Sequence, residues 1–363
     1  MKHGLKRCFL LNGIFIASIA TGCVYKPPGK SYRGPLPELT PVQVRIRNAL
    51  RRDVYDLAGK IGPRAVTRLV KAESGVELRK DPRGLQAAAR WAECRLREAG
   101  YDVRRQDYAV DGVTCTNFSA ELRGARRPGE IVVVGAHYDS VAWSPGANDN
   151  AAGVAVVLAL ARALRDRTPD RTLRFVLFTN EELPHAGTDA MGSRRYARGC
   201  HERGERIVAM LSLDELGYFK DERGSQHYPF PLNLWYPSTG NFLAFVSNGE
   251  HRRLMFRTVR LFREHARFPS EGLAMNIRDV GRSDHASFWE YGYPALLVTC
   301  TGNFRNPYYH AAGDTPERVD YDRLARVVTA FEHVLMRLAD DGKQARNSPR
   351  AAPAKLAKES GVP

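Results

Sequence analysis

The chain has 363 residues, 43% hydrophobic and 26% charged. That globular balance excludes a disordered chain, a collagen-like repeat and a multi-span membrane protein. Lys and Arg number 55 against 40 Asp and Glu, a formal charge of +15, yet no basic helix interleaved with aromatics and no nucleic-acid motif occurs, so the excess reads as a solvated, Arg-rich surface and nucleic acid is not expected as a partner.

In chain order, residues 1–22 read as an export signal. Lys2, Lys6 and Arg7 give a positive start, and the apolar run from Phe9 to Ala20 is too short to cross a bilayer core but suits a signal peptide. It ends in Ala20-Thr21-Gly22-Cys23. Small residues ahead of a Cys resemble the lipobox of bacterial lipoproteins, which implies acylation of Cys23, although Ala20 stands where that motif usually has Leu. An ordinary cleaved signal with an incidental Cys is the alternative. Val24 is not the Asp that favours inner-membrane retention, so a lipidated chain is expected at the outer membrane, facing the periplasm or the cell surface. An unlipidated one would be periplasmic or secreted. Residues 23–44 are rich in Pro and Gly and read as a tether, 45–340 as one domain, and 341–363 as a disordered basic tail. Export would permit disulfides, but Cys94, Cys115, Cys200 and Cys300 allow three complete pairings among which sequence does not choose.

Within the body, Val42 to Ile61 has helical spacing and stops at Gly62-Pro63. Pro82 to Ala99 is a second helix, with Pro at its start and Gly100 beyond its end. Tyr108 to Leu122 reads as two strands around Asp111-Gly112. The β-branched run Ile131 to Val134 marks a strand buried on both faces. Asn150 to Asp166 is an Ala/Leu/Val helix, Leu173 to Thr179 a second buried strand, Ser193 to Arg198 the start of a helix, and Ile207 to Leu213 a third strand. A strand over Leu243 to Val246, a helix over Glu250 to His265, a strand over Ala295 to Thr299 and a helix over Tyr321 to Leu338 complete the pattern. Alternating strands and helices predict an α/β fold: a mostly parallel central sheet with helices on both faces.

Polar residues collect where these strands end. The strand at Ile131 runs into His137 and Asp139, the next into Glu181 and Glu182, the third into Asp214 and Glu215, and the last leads through a loop to His310. Asp149 stands just before the Ala-rich helix. In open α/β sheets the ligand crevice lies beyond the carboxyl ends of the strands. Several carboxylates gathered there repel one another, a cost that a divalent cation removes. Two His with three carboxylates suit Zn²⁺, and five protein groups suit two ions sharing a bridging carboxylate better than one. Each residue also has an ordinary role open to it: Asp149 as a helix cap, Asp214 as a turn acid, the Glu pair as a solvated helix start.

The motifs GAHYDS, GANDNAAG, FTNEEL, MGSRRYA, LSLDELGY, SDHASFWEYGYPAL and RNPYYHAAGDTPERVDY, in that order from about Ile61 to Val319, resemble the dizinc aminopeptidases, a family that also includes glutaminyl cyclases and glutamate carboxypeptidase. The resemblance implies a zinc-exopeptidase (phosphorylase/hydrolase-like) fold acting on peptides with two Zn²⁺, other divalent metals being open. It places the metal ligands on His137, Asp149, Glu182, Asp214 and His310, with Asp149 bridging, His137 and Asp214 on one ion, and Glu182 and His310 on the other. It makes Glu181 the general base, Asp139 the acid that orients the His137 imidazole, and the Asp149-Asn150 peptide cis. Asp284 and His285 match a motif near the site, in a direct or a structural role. Glu215 replaces a frequent pocket Met, which points to a preference for a basic N-terminal residue unless its side chain faces solvent. Cys300 stands where relatives often carry Asp. The expected activity is that of an exported metallo-aminopeptidase. The alternatives are a glutaminyl cyclase, which needs fewer ligands, a non-catalytic binding protein on the same fold, and carboxypeptidase polarity.

Overall fold

A computed structural model describes residues 24–72, 75–276 and 280–340. The signal segment, Cys23 and the basic tail at 341–363 lie outside the described residues. Among the described residues ten strands form: β1 (Thr67–Ala72), β2 (Gly75–Lys80), β3 (Val103–Val110), β4 (Val113–Leu122), β5 (Arg127–His137), β6 (Arg171–Phe178), β7 (Arg206–Leu213), β8 (Leu243–Ser247), β9 (Ser270–Ala274) and β10 (Ala295–Thr299). The helices are α1 (Pro41–Val54), α2 (Arg83–Glu98), α3 (Gly153–Leu164), α4 (Gly192–Glu202), α5 (Arg252–His265), α6 (His285–Trp289) and α7 (Tyr321–Ala339).

β1 and β2 make a separate antiparallel hairpin, and the other eight strands one sheet in the order β3-β4-β6-β5-β7-β10-β8-β9. β6, β5, β7 and β10 run parallel at its centre. β3 and β4 extend it antiparallel on one side, and on the other β8 opposes β10 while β9 parallels β8. Alternation along β5 explains why both faces are covered. Val132, Val134 and Ala136 enter one core with α1, α3, α5 and α7, whereas Ile131 and Val133 enter a second with Tyr196 and Cys200 of α4 and Phe288 of α6. A strand apolar at every position can sit only where helices close both sides.

The first helix ends earlier than its spacing predicts. α1 is opened by a capping box between Thr40 and Gln43 and gives way at Tyr55 to a wider π turn that runs to Ile61. α3 likewise begins only at Gly153, after a π turn over Ala147–Ala152 that carries Asp149. A side chain at Gly153 would meet the Leu213 carbonyl at 2.5 Å, so glycine lets this helix start press on β7. The hairpin β1–β2, the short β9 and α6 were not predicted.

α1 begins at Pro41, one residue ahead of the helical spacing predicted from Val42, and the start of the Pro/Gly-rich stretch is laid along the sheet edge. Tyr25 and Ala274 exchange two backbone hydrogen bonds at 2.9 Å, and Ser270 donates to Ser31 Oγ at 2.8 Å. The Pro-Gly composition serves close fit rather than freedom: Pro27 lies where a Cβ on Gly272 would intrude at 2.7 Å. Cys94, Cys115, Cys200 and Cys300 are all free thiols, the last three buried.

Candidate metal centre

The parallel strands fix the site. β5 ends on His137, β6 is followed by Glu181 and Glu182, β7 by Asp214, and the loop after β10 supplies His310. These strand ends are neighbours, some 5 Å apart, so residues distant in sequence converge. Asp149 faces both imidazoles. Its Oδ1 lies 3.4 Å from His137 Nε2 and its Oδ2 3.1 Å from His310 Nε2. His137 Nε2 is also 3.4 Å from Asp214 Oδ1, and His310 Nε2 is 2.9 Å from Glu182 Oε2. The donors form two groups that share Asp149: His137, Asp149 and Asp214, and Asp149, Glu182 and His310, each with its atoms within 4.8 Å of one another. The Asp149-Asn150 peptide is cis.

Asp139 ties the two strand ends together. One oxygen is 3.5 Å from His137 Nδ1 and accepts the Glu181 N–H, while the other accepts the Glu182 N–H, both at 3.2 Å. The Glu181 carboxylate lies 3.9 Å from His137 Nε2 and belongs to neither donor group.

The electrostatics call for a cation. Burial, with Glu182, Asp214 and Asp284 nearby, pushes the Glu181 carboxyl well above its ordinary range against the pull of His137. Burial and Asp149 push Glu182 up to about 7. His137 is pushed above its ordinary range by Glu181 and Asp214 despite full burial, and His310, although partly desolvated, is raised to about 10 by Asp149 and Glu182. Burial works against the Asp149 charge, but hydrogen bonds from both imidazoles more than compensate and lower its value. Glu182 Oε1 is buried with no hydrogen-bond partner among the described residues, an orphaned acceptor that an ion would satisfy. Two imidazoles and carboxylate oxygens are the donors zinc takes, and the residues fit it.

Two cavities meet at this cluster, with Asp214 and Tyr309 bordering both. One, about 320 Å³, is lined by Glu181, Glu182, Met191 and Arg194; the other, about 180 Å³, is largely apolar, with Tyr228, Leu232, Tyr236 and Phe242. Glu215 lines the apolar one. It is buried, 4% exposed, which removes the solvent-facing alternative, and Asn148 Nδ2 approaches its Oε1 at 3.4 Å. Asp284 and His285 border neither cavity. Their surroundings are internal: His285 Nε2 donates to the Val280 carbonyl at 2.7 Å with its ring edge-on to Trp289, and burial lifts Asp284 to about 7.

Two residues were not singled out from sequence. Asp314 accepts the Asn148 N–H at 2.9 Å and the Asp149 N–H at 3.0 Å. Arg64, wholly buried, donates from Nε to the Tyr138 carbonyl at 2.7 Å, from Nη1 to the Gly62 carbonyl at 2.8 Å and also to that of Pro145, and from Nη2 to the Gly146 carbonyl at 2.9 Å. Gly146 has φ +62°, and a Cβ there would strike Arg64 Nη2 at 2.7 Å. The available signal was proximity alone: Asp314 stands in a quoted motif just past His310, and Arg64 lies three residues after Ile61, where the resemblance begins.

Fold and donor set together define a zinc-dependent hydrolase. The chain belongs to peptidase family M28, whose pattern matches residues 117–335. It is 35% identical over 246 residues to the uncharacterized protein YfbL of Escherichia coli, covering 63% of this chain and 73% of YfbL. It is 31% identical over 199 residues to aminopeptidase YwaD of Bacillus subtilis, covering 54% of this chain but only 38% of YwaD. Among solved structures, the zinc aminopeptidase BSAP of Bacillus subtilis superimposes with a TM-score of 0.60 at 15% identity, over 82% of this chain and 96% of that one.

Proposed function

We propose that the chain is an exported aminopeptidase that releases N-terminal residues from peptides with a pair of zinc ions. The observation that carries the reading is Asp149, with one oxygen turned to His137 and the other to His310. On this reading His137, Asp149 and Asp214 hold one ion and Asp149, Glu182 and His310 the other. When bound, such ions would supply Lewis-acid polarisation of the scissile carbonyl and a lowered pKa for a nearby water. Glu181, outside both donor groups and fixed at its backbone by Asp139, takes the proton of the attacking water and hands it to the leaving amine. Its buried, acid-rich setting raises its affinity for that proton, as a base that must become an acid requires. Asp139 orients His137 and Glu181 at once. The side chain of the N-terminal residue enters the apolar cavity beside Glu215.

Metal analysis paired with a peptide panel tests this. About two zinc per chain are expected, with cleavage of free-amine peptides and, in Glu181→Gln, loss of turnover by a factor of about 10²–10⁴ at unchanged zinc content. Equal cleavage of N-blocked peptides would overturn the aminopeptidase assignment and leave a hydrolase. Cyclisation of Gln-peptides without hydrolysis would make the chain a glutaminyl cyclase. We further propose, from residues 1–23, that the chain is exported and held at the outer membrane by a lipid on Cys23. The intact mass of the mature N-terminus reads this directly.

A further inference from the structure

We propose that the outer face of the loop over residues 228–237 is a docking surface for an anionic phospholipid bilayer. The inference rests on the membrane anchoring at Cys23 proposed above. The loop has two faces. Leu232 and Tyr236 turn inward, 4% and 9% exposed, to join Met275 and Val280 and wall the apolar cavity. Phe230, Leu234 and Trp235 turn outward, 58%, 66% and 49% exposed. Single exposed apolar side chains are ordinary, but an aromatic and aliphatic group crowded onto one short loop marks a contact surface.

What covers that surface is indicated by where the described chain begins. Val24 packs against the same cluster as Leu232 and Tyr236. Lys26 Nζ donates to the Trp235 carbonyl at 2.7 Å and lies 4.4 Å above the Tyr236 ring. Cys23 directly precedes Val24 in sequence, so a bilayer that holds the proposed acyl chains would be tethered next to the cluster that Val24 joins. The charge agrees. Lys26, Lys30 and Arg33 are exposed along this segment, and Arg263 grips it through the carbonyls of Pro28 and Gly29 at 3.2 and 3.1 Å. Basic side chains beside Trp, Phe and Leu are the chemistry of a headgroup interface, in which the rings sit at the level of the glycerol and the cations face phosphate. A second copy of this chain would gain nothing from that belt of positive charge. Because the inner face of the loop walls the cavity proposed for the substrate side chain, docking would hold that cavity against the membrane surface, facing peptides presented there.

The test uses the protein as a bacterial host processes it. Intact mass says whether Cys23 carries acyl chains, a readout of the anchor alone. Either form is then mixed with vesicles of phosphatidylethanolamine and phosphatidylglycerol whose acyl chains carry bromine. The expected result is quenching of tryptophan fluorescence that disappears in Trp235→Phe. The combined variant Phe230→Ser, Leu234→Ser, Trp235→Ser, with hydrolysis of a small soluble substrate intact, should lose at least about tenfold in partition when unacylated, and its remaining tryptophans should stay unquenched when acylated. An acylated protein bound to vesicles with Trp235 unquenched overturns the docking surface and leaves the anchor standing. An unacylated protein with Trp235 quenched keeps the surface and removes the anchor, whereas one left unquenched overturns both. A concentration-dependent dimer that the combined variant abolishes, with Trp235 unquenched by lipid, assigns the surface to a second copy and overturns the proposal as well.

Discussion

Asp314 holds the backbone on either side of the Asn148–Asp149 peptide, one carboxylate oxygen on each N–H, at 2.9 and 3.0 Å. The Asp149 carboxylate, the only one shared by both donor groups, is therefore aimed by a second carboxylate that lies in neither. Asp314→Asn keeps the size but replaces one acceptor with a donor facing an N–H. We expect zinc affinity to fall by about 10–100-fold, with the fold retained. Titration against a competing chelator, beside a circular dichroism melt, measures the two effects separately.

Glu215 puts a buried acid among the apolar residues that line this cavity. A substrate with a long apolar stem and a cationic tip satisfies both surfaces. Lys- and Arg-initiated substrates are thus expected to exceed Leu and Phe in kcat/KM, and Glu215→Met to reverse that order by about tenfold or more. A wild-type panel in which Leu or Phe dominates would refute the role of the acid.

Zinc and protons compete for Glu182 and His310, while Asp284 and Asp314 titrate beside the donor groups, and the signs can be worked out. In the metal-free chain the folded state raises Glu182 from 4.5 to about 7, Asp284 from 3.8 to about 7 and Asp314 from 3.8 to about 6. It also raises His310 from 6.5 to about 10. In every case the folded form binds the proton more tightly, so stability falls as pH rises, across roughly pH 4–7 for the acids and 6.5–10 for the imidazole. Asp149, shifted down, acts in the opposite sense only below its ordinary 3.8. Metal binding strengthens over the same range because protons leave. The rise in Tm caused by zinc over a chelated control is therefore expected to grow from pH 5 to pH 8. A constant difference would mean that Glu182 and His310 do not meet the metal.

Arg64→Lys removes a planar fork that a single ammonium cannot replace. The carbonyls of Tyr138, Pro145 and Gly146 would lose their common donor, at a cost of about 1–3 kcal/mol for each one left unpaired. We expect a lower Tm together with weaker zinc binding. A lower Tm at unchanged zinc affinity would confine Arg64 to packing.

Much of the site was legible because β-branched runs stop abruptly at acids and imidazoles. His137 closes β5, and Glu182 and Asp214 come just after β6 and β7, strands buried along most of their length, and such strands must be central and adjacent. What escaped depends on partners that sequence does not display. Arg64 reads as one more surface arginine until the backbone oxygens around it are placed. Asp314 reads as a turn acid. The edge strand β9 (Ser-Glu-Gly-Leu-Ala) has too little hydrophobic alternation to announce itself, and the residues from Tyr25 to Ser31 look like a linker because the surface that shapes them lies far along the chain. The cis peptide after Asp149 was reachable only through the family resemblance.

The family match begins at residue 117, yet Arg64 reaches in from well before it to fasten the loop that leads to Asp149. The recognisable part of this enzyme is consequently not self-sufficient. A version pared down to it would retain every metal donor, and could still assemble the central strands, while forfeiting the brace that sets where those donors point.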